Sequence, residues 1–323
     1  MGDIKIEMNF YITVGEPAKP AESEAPSIDF FEEAEYEVEH TDGNRSLSTI
    51  GNYLTALNSL RHYLGRSIDV SELTADIIGG YQKWLREQNI KPNTISCYTR
   101  SLRSVYHRIA HRYRLPADSD PFKGAFTGNS KTAKRSLARE DLQRIRQLCL
   151  PEGSFLSLSR DIFLFSFYAQ GMPFVDIAFL TKAQISDGVL VYYRHKTGTR
   201  VAIGLEPPMV DIIRRYEQRG RERVFPILKA RDEPRVYKEY LQKLGRYNRA
   251  LHKISAMARL SKPLTSYVAR HSWASMAYGL NVDLPVISQA LGHTNPHTTL
   301  LYIKELDDER LQQANRRILK DLQ

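Results

Sequence analysis

Arg270-His271-Ser272-Trp273-Ala274 is followed by Leu291-Gly292-His293-Thr294, and Tyr302 comes nine residues after His293. Taken singly, each piece is ordinary. The chain has 18 tyrosines, and an arginine on a helix is usually a solvated surface cation. Their order and spacing together are specific. Upstream, two stretches of alternating apolar residues, 189–193 and 201–205, flank the turn Lys196-Thr197-Gly198-Thr199 and read as a β-hairpin. The rest of this half is helical in pattern, with stretches at 139–149 and 158–170 and further helices after 205. From Glu305 to Gln323 a last amphipathic segment sets Leu311, Ala314, Asn315, Ile318 and Leu322 on one face.

The first half has a different character. Leu47, Ile50, Leu54, Leu57 and Leu60 recur at helical spacing after a capping Ser46. A second helix fits 76–88, and Lys91-Pro92-Asn93 turns the chain into a third at 94–112. That third helix buries Ile95, Leu102, Val105, Tyr106 and Ile109, while Arg100, Arg103, Arg108 and Arg112 crowd its remaining positions beside Tyr98 and Tyr113. Basic and aromatic side chains interleaved in this way suit contacts to a nucleic-acid backbone. Residues 116–135, with their Pro, Gly, Ser, Thr and Lys, have the composition of a linker.

Charge is divided unevenly. The chain carries +9 overall, yet its first 40 residues hold eleven acidic against two basic side chains, so the remainder carries about twice the net positive charge. A body that basic attracts polyanions, above all DNA. Residues 1–45 read as an acidic, partly flexible arm, with a short strand at 10–14, and an acidic segment there is placed to regulate access to a basic groove. Two cysteines, Cys97 and Cys149, are too few for a disulfide framework and read as core residues of a reducing compartment. No apolar run reaches the roughly 18 residues of a membrane span. The expected location is the cytoplasm, with no membrane partner.

The spaced motifs resemble those of the tyrosine recombinase (phage integrase) family. There an R-H-[ST]-[FW]-A segment opens one helix, L-G-H starts another, and the nucleophilic tyrosine lies nine residues beyond that histidine. The resemblance runs from about residue 46 to the C-terminal region. It implies a mainly α fold with a small β-sheet: a helical core-binding domain at 46–115 that clamps DNA, and an α/β tyrosine recombinase catalytic domain at 136–323. It further implies Tyr302 as nucleophile, Arg270 as phosphate clamp, His293 as a second phosphate contact and Lys196 as the acid that protonates the leaving 5′ oxygen. Strand exchange by a tyrosine needs an in-line nucleophile, fixed cations for the phosphoryl charge and an acid for the leaving group. Guanidinium and ammonium groups supply that charge, so no metal and no cofactor are expected. Double-stranded DNA is the implied partner, engaged by a homotetramer on two sites. The outcome would be integration, excision or inversion in a mobile element, and the resemblance leaves room for an accessory DNA-bending protein.

The chain departs from the family pattern in two places. Where the family has H-x-x-R, Tyr267 precedes Arg270; a phenol donates a hydrogen bond but is no neutral-pH base. Where the family has G-[LM]-R-x-x-[DE], this chain reads Gly171-Met172-Pro173-Phe174-Val175-Asp176, with proline in place of an arginine. Arg194 lies two residues before Lys196, on the same face of a strand, and is the candidate replacement; Arg200, across the turn, is a weaker one. Asp176 is expected to orient a basic neighbour. Pro173 and Tyr267 keep a catalytically impaired DNA-binding regulator open as an alternative, and a type IB topoisomerase-like enzyme remains a second.

Overall fold

The computed structural model describes residues 27–40, 46–116, 120–130, 136–217, 219, 222–230, 232, 235–293 and 299. The chain divides into two compact units between Lys131 and Thr132. The strand expected at 10–14, the nucleophile candidate Tyr302 and the amphipathic segment from Glu305 lie outside the described residues.

The first unit is helical: α1 (Phe30–Glu39), α2 (Leu47–Leu64), α3 (Ala75–Glu87) and α4 (Pro92–Tyr113), with a 3-10 turn at Val70–Glu72. Ser46 caps α2 as expected, its hydroxyl accepting the Thr49 N–H at 3.3 Å. The buried stripe of α2 is Tyr53, Ala56, Leu57 and Leu60, whereas Leu47 and Leu54 are exposed. Leucine spacing alone misplaced that face by part of a turn, because Tyr53 and Ala56 belong to the stripe. The five apolar positions expected on α4 are all buried.

This unit begins earlier than Ser46. Asp29 accepts the N–H groups of Phe31 and Glu32 and so starts α1, an acidic stretch that the sequence placed in the arm. Phe30, Phe31, Ala34 and Val38 enter the same core as α2, α3 and α4. The acidic residues between them masked a helical apolar stripe. The expected linker also shrinks. Phe122 is buried in this core, the Gln82 amide bonds the backbone of Phe126, and the Asn93 amide bonds that of Ser130.

The second unit runs α5 (Arg139–Gln147), α6 (Phe155–Tyr168), α7 (Phe174–Phe179), β1 (Ile185–Ser186), β2 (Val189–Tyr193), β3 (Arg200–Gly204), α8 (Pro207–Tyr216), α9 (Arg235–Met257), α10 (Val268–Gly279) and α11 (Leu284–Ala290). Its sheet is antiparallel in the order β1-β2-β3, and Leu190, Tyr192, Val201 and Ile203 point from it into the core. At the centre lies α6, which packs against α5, α7, α8, α9 and α10. Its buried Asp161 is held by Arg160, Arg215 and the Tyr216 hydroxyl. The cap of α5 falls at Ala138, whose N–H donates to Asp141. Cys149 is exposed and Cys97 half-buried, so neither is the core residue that was expected.

Candidate active site

Arg270 lies in the first turn of α10 and is 1% exposed. Its Nη1 donates to the Gly171 carbonyl at 3.0 Å, and its Nη2 to the Leu291 carbonyl at 2.6 Å and to His293 Nε2 at 2.9 Å. Gly171 makes this approach feasible. Its φ is +75°, and a Cβ there would stand 2.8 Å from the Arg270 Cα. These carbonyls and the neutral imidazole orient the guanidinium, and none of the three is an anion.

That the imidazole is neutral follows from its partners. Guanidinium nitrogens only donate, so His293 Nε2 accepts, and the ring proton sits on Nδ1 facing Thr299 Oγ1 at 2.8 Å. Burial, and after it the charges of Arg270, Arg194 and Lys196, push the imidazole down to about 4. Thr299 is fully buried, and sequence spacing gave no sign of its role as the group that sets the tautomer.

Arg194 follows β2 and is 6% exposed. Its Nη1 donates to the Leu291 carbonyl at 2.8 Å and to that of Gly292 at 3.3 Å. Arg194 and Arg270 therefore share one carbonyl acceptor. Gly292, with φ +61°, passes so close that a Cβ would stand 2.6 Å from Arg194 Cδ. On its other side Arg194 Nε lies 3.6 Å from Asp176 Oδ2. The remaining oxygen of Asp176 accepts the His195 N–H at 2.9 Å and faces the His195 ring at 3.1 Å. One buried carboxylate thus fixes both the arginine and the start of the turn that carries Lys196, the orienting role expected of it. Lys196 itself is exposed.

Pro173 is the N-cap of α7, at φ −64° and ψ 152°, where proline fits without strain. Asp176 lies three residues further along the same helix, so the Arg194 guanidinium is drawn to the helix that Pro173 opens. Tyr267 occupies the N-cap position of α10 and is 44% exposed, its ring edge-on to His271.

The four arginines of α4 are not equivalent. Arg108 Nε pairs with Glu37 at 3.0 Å and lies over the Tyr53 ring; Arg112 pairs with Glu33 at 2.8 Å and with Glu37, and lies over Tyr36. Both are turned to α1. Arg103 reaches Asp120 at 3.4 Å. Among the described residues Arg100 bonds only its own helix, through the Ser96 carbonyl. A basic stripe that the sequence analysis passed over lies on α9, where Arg235, Lys238, Gln242, Arg246, Arg249 and Lys253 recur every three or four residues and are exposed. Among the described residues Lys238, Arg249 and Lys253 have no ion pair. Their spacing was readable in the sequence.

Residues 29–116 match the model of a phage integrase SAM-like domain, and residues 135–309 that of the phage integrase family. Tyrosine recombinase XerD of Pseudomonas putida is 26% identical over 77% of this chain and 83% of its own length. Tyrosine recombinase XerC of Halalkalibacterium halodurans is 26% identical over 80% and 87%. Among solved structures, a lambda integrase tetramer bound to a Holliday junction superposes with a TM-score of 0.67 at 16% identity, over 87% of this chain and 78% of that one. A Tn1549 transposon integrase in complex with transposon right end DNA gives 0.67 at 13% identity, over 90% and 100%. At such identities the structural likeness is one of fold.

Proposed function

The chain belongs to the phage integrase family, and from that premise we propose that it is a site-specific DNA recombinase working through a 3′-phosphotyrosine link to Tyr302. The Tyr302 oxygen attacks the scissile phosphorus as the bond to the 5′ oxygen breaks. Lys196 gives that oxygen its proton, and the reverse step, with the 5′ hydroxyl of a partner strand as nucleophile, rejoins the backbone. The phosphotyrosine keeps the bond energy, so no nucleotide is consumed. Four protomers on two duplex sites exchange strands in pairs, in the cytoplasm, through a Holliday junction.

The observation that carries this reading is the convergence of Arg194 and Arg270 on the carbonyl of Leu291, beside a neutral His293. Two guanidiniums in one place can clamp a phosphoryl group whose charge grows in the transition state. Arg194 supplies the charge that Pro173 does not. His293 hydrogen-bonds the phosphate, and Tyr267 positions it or its neighbours. Arg100 on α4 and the exposed cations of α9 hold the duplex backbone.

The test is a nicked suicide duplex, which traps the covalent intermediate, together with sequencing of DNA from cells holding the chain beside its native flanking DNA. Covalent adduct and rearranged junctions are expected with the wild type and with neither when Tyr302→Phe is used. Site-specific binding without an adduct from the wild type would support the regulator instead. Relaxation of supercoiled plasmid of arbitrary sequence would support the topoisomerase.

A further inference from the structure

The hairpin that carries Arg194 and Lys196 has a second face. Along β2 the burial alternates: Leu190 and Tyr192 are in the core with Arg194 behind them, while Val189 and Tyr193 are exposed and Val191 is half-buried. On β3, Val201 and Ile203 are in the core, and Arg200, Ala202 and Gly204 are exposed. The register pairs Tyr193 with Arg200, Val191 with Ala202 and Val189 with Gly204. This outer face is therefore low along most of its length and rises at the turn end into one aromatic ring and one guanidinium, set directly opposite each other.

Tyr193 is 64% exposed, the most exposed aromatic ring among the described residues. Arg200 has no ion pair or side-chain hydrogen bond among the described residues. The same strand is continuous with the catalytic cations. Tyr193 is the neighbour of Arg194, and the three residues that lead from it into the turn set Lys196 at most about 10 Å away, no more than roughly three base-pair steps at about 3.4 Å each.

We propose that Tyr193 and Arg200 form a DNA-contacting pair that sets base preference within about three base pairs of the cleaved phosphate. Arg200 engages the sugar-phosphate edge of the duplex. Tyr193 lies against the deoxyribose and base edge beside it, where an aromatic ring with a hydroxyl tip offers both apolar contact and a hydrogen bond. The occupant is duplex DNA rather than a protein because the pair is cationic, lies next to the site of phosphodiester chemistry and is flanked by the low surface of Ala202 and Gly204, over which a wide, rigid partner can lie. The proposal rests on the recombinase reading, since it takes Lys196 to be at the scissile phosphate.

The experiment uses the full-length chain and a library of random-sequence duplexes, each with one nick. Covalent adducts are recovered and sequenced to give base frequencies on either side of the cut. Wild type is expected to show a preference there. Tyr193→Ala should flatten it by about fivefold at one or more positions, and Tyr193→Phe, which keeps the ring, should retain most of it. Arg200→Ala should lower adduct yield about equally across sequences, and the more so as salt is raised. Both residues lie at the surface, so circular dichroism of all three variants should match the wild type. A Tyr193→Ala profile that superimposes on the wild type, or an Arg200→Ala adduct yield equal to wild type at every salt concentration, would overturn the proposal while leaving recombination intact. A wild type that forms no adduct at all would defeat the recombinase reading, and this pair's role with it.

Discussion

The arginines of α4 and those that converge on the Leu291 carbonyl are held by different means. On α4, Arg108 and Arg112 are clasped by Glu37 and Glu33 of α1, carboxylates that neutralise them. In the second unit Arg270 is held by two backbone carbonyls and a neutral imidazole, and Arg194 by two carbonyls with a single carboxylate 3.6 Å away. A carbonyl orients a guanidinium and leaves its charge available, whereas a carboxylate spends it on the fold. The first arrangement glues a helix in place; the second keeps cations ready for an anion.

The sharpest way to break this contrast is Arg270→Lys, which keeps the charge and loses the fork that reaches both carbonyls. Cleavage of a suicide duplex should slow by about a hundredfold to a thousandfold, with duplex affinity within a few-fold of wild type. Arg194→Ala should cost about a hundredfold in the same assay. Arg100→Ala, by contrast, should only weaken binding and reduce its salt slope by about one. An Arg194→Ala chain that cleaves normally but binds poorly would remove the replacement of the missing arginine.

Stability should respond next. Gly292→Ala places a methyl against Arg194 in a left-handed backbone, and should destabilise the second unit by roughly 1–3 kcal/mol in thermal unfolding. His293 gives a smaller, pH-dependent effect. Its folded value of about 4 lies below its unfolded one near 6.5, so the unfolded chain binds the extra proton first. Stability is fully present above about pH 6.5 and declines as pH falls toward 4. His293→Gln should flatten that decline, and cleavage by the wild type should show no inflection near pH 6.5 from this residue. Least affected should be Glu33→Gln with Glu37→Gln, which releases Arg108 and Arg112; non-specific DNA affinity at low salt should rise by about twofold to threefold. Deleting residues 1–40 would not report on this, because it also takes Phe30, Phe31, Ala34 and Val38 from the core.

What the sequence disclosed depended on how local the signal was. The helices of both units and the hairpin were legible from periodicity and turn residues, and the spacing of Arg270, His293 and Tyr302 pointed to the family. Helix α1 was not, because its acidic residues dominated the composition while its apolar stripe spans only ten residues. Nor could spacing distinguish Arg100 from Arg108 and Arg112, since pairing partners 71 and 79 positions away decide which cations are spent. Thr299 is only six residues from His293, but spacing does not say which ring nitrogen it faces. Asp176 was the exception, read correctly as an orienting group because the motif carried it.

Asp176 also constrains how such a site could change its arginine by single substitutions. Pro173 stands in backbone geometry open to any residue, so an arginine at 173 has no conformational barrier to its return. A lineage moving between the two arrangements by way of a chain with both arginines keeps a clamp at every step, whereas one that loses Arg194 first crosses a chain with one guanidinium too few. Under the replacement proposed above, the order of the mutations is not free: gain must precede loss, and Asp176 has to stay for as long as Arg194 depends on it.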